Sequence, residues 1–374
     1  LGMENGMYVS FDDGANWQTL RLNLPVTPVH GIASQERDLV IGTHGRAFYV
    51  LDDINVLRQA TPQLTTNALH IFEPTDPLRG FDDGVAVDYY LGQEASEVKI
   101  ETLDSGGTVL RTFTGTPKDK EPEPGEGGGF FGFRPPRVGV KKGMNRFTWD
   151  LRQEGAVVFP GMIMWAAQPQ RGPASPPGQY AVRITANGQT ATQDFSIGLD
   201  PRLRQAGITE ADLQEQYKLS IQVRDRVSEA NNAVIQIRSI RNQVEDRIAK
   251  VPERRRAEIK ALADQMMKPL TIVEQEVYQT QLKSNQDALN FPIKLNNKIA
   301  ALSGVASGEY RPTKQTYAVF DSLTKSLNVR LRSVKTTTDT LLPRINTLLR
   351  AAGLPEIVPG TAELKKDQRP IVSS

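Results

Sequence analysis

Side chains that could carry out chemistry are few in this sequence. It contains no cysteine, and its three histidines are His30, His44 and His70. Thiolate nucleophiles, disulfides and thiolate metal sites are therefore excluded within these residues, and neither a histidine-rich metal cluster nor any other cofactor site is expected. The best candidates for contacting a ligand are His44 and Arg46, which stand on either side of a glycine.

A second cluster, Ser10–Trp17, places Asp12 and Asp13 before a glycine and between two β-prone runs. Asp-Asp-Gly in such a position indicates a hairpin, because the glycine supplies the positive φ that the turn needs. The Asp12 carboxylate is placed to accept backbone N–H bonds across the turn, and Trp17 offers a large apolar body for packing between sheets. The favoured interpretation is a fold-forming turn, and the alternative is a catalytic acid or a calcium ligand at Asp12 or Asp13.

This cluster resembles the Asp-box, or bacterial neuraminidase repeat, at Ser10, Asp12, Gly14 and Trp17. In that family the box joins the third and fourth strands of a β-propeller blade and is structural. The resemblance implies that residues 1–78 hold the closing blades of an incomplete propeller. The missing blades would come from upstream in the same chain or from another chain, since such repeats cannot bury their faces alone.

The run Asp38–Arg46, followed by Leu51–Asp53, resembles the last blade of sortilin-like, neuraminidase-repeat proteins of environmental bacteria. Many of those proteins are described as glycosyl hydrolase-like. The resemblance implies that the chain is the C-terminal part of a secreted, periplasmic or cell-surface bacterial protein. The spacing of short strands and turns in this segment makes Ala68–Phe72 a candidate fourth strand of the blade.

If that blade order is right, Thr43–Arg46 is the turn between the second and third strands. In propellers this turn faces the axial mouth where ligands usually bind, which makes His44 and Arg46 binding candidates. A plainer interpretation stays open, in which His44 makes a bond to the backbone and Arg46 pairs with Asp52 or Asp53.

Residues 79–200 keep a β pattern but change the spacing of their turns. Val85–Leu91 and Tyr180–Ile184 read as strands, and Asn187–Gly188 is the strongest type I′ hairpin signal in the chain. About seven strands of this kind predict an immunoglobulin- or fibronectin-like β-sandwich. The pattern also resembles the sandwich that follows the propeller in the same bacterial proteins.

A Gly/Pro-rich insertion at 115–143 interrupts the predicted sandwich and contains Phe130, Phe131 and Phe133. Composition of this type favours a solvated loop, yet three phenylalanines are costly to leave in water. Either these rings fold back onto the protein or they dock a partner. On the second interpretation all three are binding candidates.

The composition changes again after residue 200, and residues 201–354 predict an antiparallel helical bundle with an extended tail at 355–374. Thr209 is the predicted N-cap of the first long helix, with Asp212 at the capping-box position. Asn231–Asn232 lies in the middle of that helix and is a candidate to bond across the bundle.

The predicted fold class is therefore multidomain, β plus α, with terminal propeller blades, a sandwich and a bundle. The net charge of +2 offers no basic field for nucleic acid, and no apolar run reaches the ~20 residues that span a bilayer. The leading hypothesis is an extracytoplasmic binding or scaffold protein for a protein or glycan ligand. The alternative is a sialidase-like glycoside hydrolase with its catalytic residues in upstream blades, to which this chain contributes Arg46 at most. A third hypothesis makes the bundle an assembly element between identical chains.

Overall fold

The computed structural model describes residues 1–35, 37–82, 84–119 and 136–360 of the 374-residue chain. The chain divides into two compact units. The strand unit contains Leu1–Leu151 and Pro177–Asp200, and the helical unit contains Arg152–Pro176 and the chain from Pro201 onward. The division confirms the mixed class, β plus α, that the sequence predicts.

The first part of the strand unit forms two small antiparallel sheets. The first has the order β1-β2-β3, and the second has the order β4-β5-β6. Their strands are β1 Gly2–Met3, β2 Gly6–Val9, β3 Gln18–Thr19, β4 Val29–Gln35, β5 Asp38–Thr43 and β6 Phe48–Leu51. A small core joins the two sheets through Met7, Leu24, Val29 and Ile41.

Two larger sheets share a second core in the strand unit. One has the order β11-β10-β13-β14-β8 and the other the order β12-β9-β7. The strands are β7 Leu69–Ile71, β8 Leu78–Arg79, β9 Val85–Leu91, β10 Val98–Asp104, β11 Val109–Gly115, β12 Gly143–Trp149, β13 Gly178–Ala186 and β14 Gln189–Leu199. Trp149, Tyr89 and Phe147 are the largest side chains of this core with almost no exposed surface. Val182 and Ile184 face it from β13, as their alternation with polar residues predicts.

One strand joins a different sheet from the one that the sequence suggested. After β6 the chain forms the short helix α1 Asn55–Gln59 and a 3₁₀ turn at Pro62–Thr66. Strand β7 then pairs with β9, Leu69 opposite Leu91 and Ile71 opposite Tyr89. The assignment of Ala68–Phe72 as a fourth strand beside β6 is therefore wrong. Ile71 and Phe72 are buried beside β9, so burial of these apolar side chains favours that pairing.

The helical unit is built from four longer helices and one short one among the described residues. They are α2 Pro201–Gln205, α3 Glu210–Lys250, α4 Glu253–Val277, α5 Leu295–Val305 and α6 Lys314–Ala351, with a 3₁₀ turn at Asn285–Leu289. The capping box predicted at the start of α3 is confirmed, because Thr209 Oγ1 accepts from the Asp212 N–H and the Asp212 carboxylate accepts from the Thr209 N–H. No helix in the described ranges has both the length and the apolar character to cross a membrane.

Residues Arg152–Pro176, here called the clamped segment, belong to the helical unit although they stand between β12 and β13 in sequence. The segment folds back on itself: the Gln153 N–H donates to Pro173 O at 2.9 Å, and the Ala156 N–H donates to Pro169 O at 2.7 Å. The approach is so close that a Cβ on Gly172 would lie 1.9 Å from Gln153 O. Glycine is therefore required at position 172.

Side chains of the helices hold the backbone of this segment. Asn231 Nδ2 donates to Val157 O at 2.7 Å. Asn297 bonds Trp165 twice, accepting from its N–H at 2.8 Å and donating to its carbonyl at 3.0 Å. Asn296 Nδ2 also donates to Asn231 Oδ1 at 2.9 Å, which confirms the predicted bond from Asn231 across the helices.

Candidate functional site

The predicted ligand-contact residues lie on a tightly closed hairpin between β5 and β6. Both the backbone N–H and the hydroxyl of Thr43 donate to Ala47 O, at 3.0 and 2.7 Å. Gly45 and Ala47 have φ values of 76° and 61°, a left-handed conformation that glycine adopts freely and alanine does not. Because two hydrogen bonds close the hairpin around the strained Ala47, the backbone that carries His44 and Arg46 is fixed.

The backbone of His44 is also tied to the start of β4. Its N–H donates to Pro28 O at 2.9 Å, and the hydroxyl of the buried Thr27 donates to His44 O at 3.3 Å. The backbone bond of the plainer interpretation is therefore present at His44. These bonds use only main-chain atoms of His44, which leaves its exposed imidazole available for other contacts.

A second histidine, which sequence reasoning left without a role, lies beside the first. In the β4–β5 ladder Val29 pairs with Thr43 and Gly31 pairs with Gly42, so His30 is the extra residue of a β-bulge. Its ring centroid lies 5.3 Å from that of His44, with the ring planes tilted by 41°. The bulge changes the direction of the His30 side chain, and no sequence pattern predicts a bulge at this position.

Arg46 is exposed, and its guanidinium makes no hydrogen bond or ion pair within the part of the chain that the structure describes. The pairing with Asp52 or Asp53 does not form. Asp53 instead accepts from the Asn55 N–H at 3.2 Å and from the Thr75 hydroxyl at 3.0 Å. The end of the sheet thus presents two imidazoles and an arginine that has no carboxylate partner among the described residues, an arrangement suited to an anionic group of a ligand.

The Asp-box residues form a closed turn of their own. Asp12 Oδ1 accepts from the Asn16 N–H at 2.8 Å and from the Ser10 hydroxyl at 2.8 Å, while its Oδ2 accepts from Asn16 Nδ2 at 2.7 Å. The Gly14 N–H donates to Ser10 Oγ at 2.8 Å, with Gly14 at a φ of 92°. Hydrogen bonds from the Asn16 side chain and then its backbone lower the pKa of Asp12. Both carboxylate oxygens are thus engaged in holding the turn.

Other predicted residues lie apart from this hairpin. Trp17 is 48% exposed. No hydrogen bond or ion pair in the described ranges joins the Asp-box to His44 or Arg46. The candidates Phe130, Phe131 and Phe133 lie outside the residues that the structure describes.

No protein-family model and no curated protein matches this chain. Among solved structures it is similar to one titled "Biofilm associated protein - BSP domain", with 10% identity, a TM-score of 0.18, and coverage of 47% of this chain and 20% of that one. A second, titled "pT26-6p", has 10% identity and a TM-score of 0.16 over 76% of this chain and 49% of that one. This chain thus spans about half or less of either structure, and TM-scores at this level do not establish a shared fold.

Proposed function

We propose that this chain is part of a secreted or cell-surface bacterial binding protein of the Asp-box, sortilin-like type. In this proposal residues 1–51 are β-propeller blades, the two larger sheets are an immunoglobulin- or fibronectin-like sandwich, and the helical unit is an antiparallel bundle. Two features support it: β4, β5 and β6 pair in sequence order, as strands of a blade do, and β9–β14 enclose one apolar core between two sheets.

The proposed contact surface is the β5–β6 hairpin with His30, His44 and Arg46. The observation that carries this assignment is the exposed guanidinium of Arg46, which stands on a fixed backbone and has no partner among the described residues. An arginine held in this way binds a carboxylate or sulfate group without first breaking an internal ion pair. The ligand class is therefore an acidic glycan or an acidic protein surface.

An array of acidic and neutral glycans, together with a pull-down from cell-envelope fractions, tests this function. We expect the protein to retain acidic ligands and the variant Arg46→Ala to bind them about tenfold more weakly, because a charge-assisted hydrogen bond is lost. Arg21→Ala is the matched control, since Arg21 is another exposed arginine of the strand unit outside this hairpin.

Equal binding by the protein and by Arg46→Ala would contradict the assignment of the surface. Failure to retain any ligand, acidic or neutral, would contradict the binding function. Release of sugar from model glycosides would favour the glycoside hydrolase hypothesis instead.

A further inference from the structure

The stretch of chain that follows α6 lies in a groove of the helical unit. Residues 355–360, here called the tail segment, begin after a short turn at the end of α6. Asn346 of α6 donates through Nδ2 to Ile357 O at 3.0 Å and accepts from the Ile357 N–H at 2.8 Å. Gln243 of α3 donates through Nε2 to Val358 O at 2.7 Å and accepts from the Val358 N–H at 3.0 Å. Two amide side chains thus hold two successive residues of the backbone.

These two pairs of bonds resemble those between neighbouring β-strands, where two residues exchange both of their N–H···O bonds. Successive residues of an extended chain face opposite sides. Accordingly, Ile357 is bonded from α6 and Val358 from α3. The groove between the two helices therefore recognises the main chain of an extended peptide.

One side chain of the tail segment anchors it in the groove. Ile357 is 2% exposed, whereas Val358 is 65% exposed. The apolar side chains that line one narrow space with Ile357 come from α3, α4 and α6, and they are Val244, Ile248, Ile259, Ala263, Ile345 and Leu349. A buried side chain next to a main chain that is bonded on both sides is a common mode of recognition for extended peptides.

Two prolines prepare the tail segment for this groove. Pro355 and Pro359 fix their own φ angles and favour an extended backbone in the residues before them, Leu354 and Val358. Neither position needs an N–H, since the bond at Pro355 uses its carbonyl, which accepts from Arg247 Nε at 3.0 Å. A segment that is already extended when free loses little conformational entropy on binding.

The partners of the tail segment are side chains of the helices, and only a short turn joins it to α6. Gly353 in this turn has a φ of 72°, and the Leu354 N–H donates to Leu349 O at 2.9 Å. Rotation at Gly353 would redirect the tail segment without altering the groove, because glycine adopts many backbone conformations. The groove of another copy offers the same partners, including Arg350, whose Nε donates to Glu356 at 2.9 Å.

We propose that the tail segment exchanges between two copies of this chain, each segment entering the groove of the other copy and joining the two as a dimer. An exchanged segment makes the same bonds as it makes in its own groove, and the turn at Gly353 is what changes. The two arrangements are therefore close in free energy, and the protein concentration sets the balance between them. This exchange gives the helical unit a specific way to assemble identical chains.

A disulfide trap tests the exchange. A Cβ on Gly360 would lie 3.1 Å from Ser239 Cβ, close to the ~3.5–4.5 Å that a disulfide requires. Because the sequence has no cysteine, introduced thiols are the only ones present. When Ser239→Cys and Gly360→Cys chains are mixed and oxidised, each chain carries one thiol, so this pair joins only if a tail segment lies in the groove of the other chain. We expect a mixed dimer that increases with protein concentration on a non-reducing gel.

The control replaces Ser239→Cys with Ser322→Cys. Ser322 is exposed and precedes Ile345 by about 35 Å along α6, so it should give at least about tenfold less mixed dimer. One chain carrying both Ser239→Cys and Gly360→Cys should close on itself at low concentration. A mixture that traps no more dimer than the control, while the double variant closes, would overturn the proposal. A double variant that does not close would contradict the docked tail segment on which the proposal depends.

A synthetic, labelled peptide of residues 354–360 tests the groove directly. In the full chain Ile357→Asp should expel the chain's own tail segment, and this variant should bind the peptide at least about tenfold more tightly than the unaltered protein does. Val358→Asp is the matched control, because the exposed Val358 side chain contributes little to docking and the groove stays occupied. Circular dichroism shows whether both variants are folded. Equal peptide binding by the folded Ile357→Asp and Val358→Asp variants would contradict a peptide-binding groove.

The unaltered protein supplies a test that depends on no variant. Light scattering after prolonged incubation should show dimers that increase with protein concentration, and an excess of the same peptide should return them to monomers. A strict monomer up to millimolar concentration would overturn the exchange. A dimer that the peptide does not dissociate would show that the copies associate through another surface, which also contradicts the proposal.

Discussion

The core between the two larger sheets is apolar and aromatic, whereas the core of the helical unit includes asparagine side chains with almost no exposed surface. In the sheets the charged residues pair across strands, as Arg146 does with Asp88 at 2.8 Å and Arg183 with Glu101 at 2.9 Å. In the helical unit Asn231 and Asn296 are 0% and 1% exposed. The two cores therefore differ in which polar side chains they bury.

The difference follows from how each region satisfies its backbone. Strands pair their N–H and C=O groups with each other, so their side chains are free to be apolar. The clamped segment pairs with itself at only a few positions, and its buried carbonyls and N–H groups need other partners. Asparagine carries both a donor and an acceptor on one side chain, as the double bond from Asn297 to Trp165 illustrates. Polar residues in a helical core can thus mark where irregular chain packs against helices.

The largest expected effect that tests this comparison comes from Asn231→Ala. The change leaves Val157 O and Asn296 Nδ2 buried without partners, and we expect the free energy of unfolding to fall by about 3 kcal/mol. Urea unfolding followed by circular dichroism measures it. Asn232→Ala is the control, because the neighbouring Asn232 is exposed and its loss should cost less than about 0.5 kcal/mol. Similar losses for both variants would mean that the buried bonds are not what stabilises the segment.

A smaller effect is expected in the core between the two larger sheets, at the hydroxyl of Tyr89. Tyr89 has no exposed surface, and its hydroxyl donates to Gly139 O at 2.6 Å. Burial raises the pKa of Tyr89, so the hydroxyl stays a donor in mild alkali. Tyr89→Phe should cost about 1–2 kcal/mol in unfolding free energy by leaving Gly139 O unpaired. Tyr90→Phe is the control, because Tyr90 is the next residue along β9 and is only half-buried. In the same denaturation assay this variant should be close to neutral. A larger loss of unfolding free energy for Tyr90→Phe than for Tyr89→Phe would contradict the role of the Tyr89 hydroxyl.

The smallest effect is a dependence on acid at Glu101. The hydrogen bond from Arg183, helped by Lys99, lowers the pKa of Glu101 below its ordinary value of 4.5. Glu101 binds a proton more readily in the unfolded chain than in the folded one. The stabilisation that ionised Glu101 contributes is therefore fully present above its unfolded pKa and is lost as pH falls through its lower folded pKa. We expect Arg183→Gln to lose about 1 kcal/mol of stability at neutral pH and to show a shallower decline in acid. Parallel stability curves for the two proteins would contradict the prediction.

Local signals in the sequence predicted local structure well. The capping box at Thr209 and Asp212 and the turn at Asn187–Gly188 depend only on residues within a few positions of each other, and both form. The partner of β7 was mispredicted because strand pairing depends on which apolar side chains are buried together, and those residues can lie far apart in the sequence. The neighbour of His44 was missed because the position of His30 is set by a β-bulge. At the candidate site the sequence identified Arg46 but could not tell that no aspartate among the described residues pairs with it.

The excursion of the clamped segment into the helical unit has a consequence for synthesis. The polypeptide passes between the two units after Leu151, after Pro176 and after Asp200. A ribosome therefore delivers the clamped segment before β13 and β14, and well before α3. The strand unit can close while Phe159 and Met164, which end up buried among the helices, have nothing to pack against. A nascent chain halted at Asp200 would hold every described strand and still display an apolar loop with nothing to pack against, so we expect this interval of translation to expose the chain to aggregation.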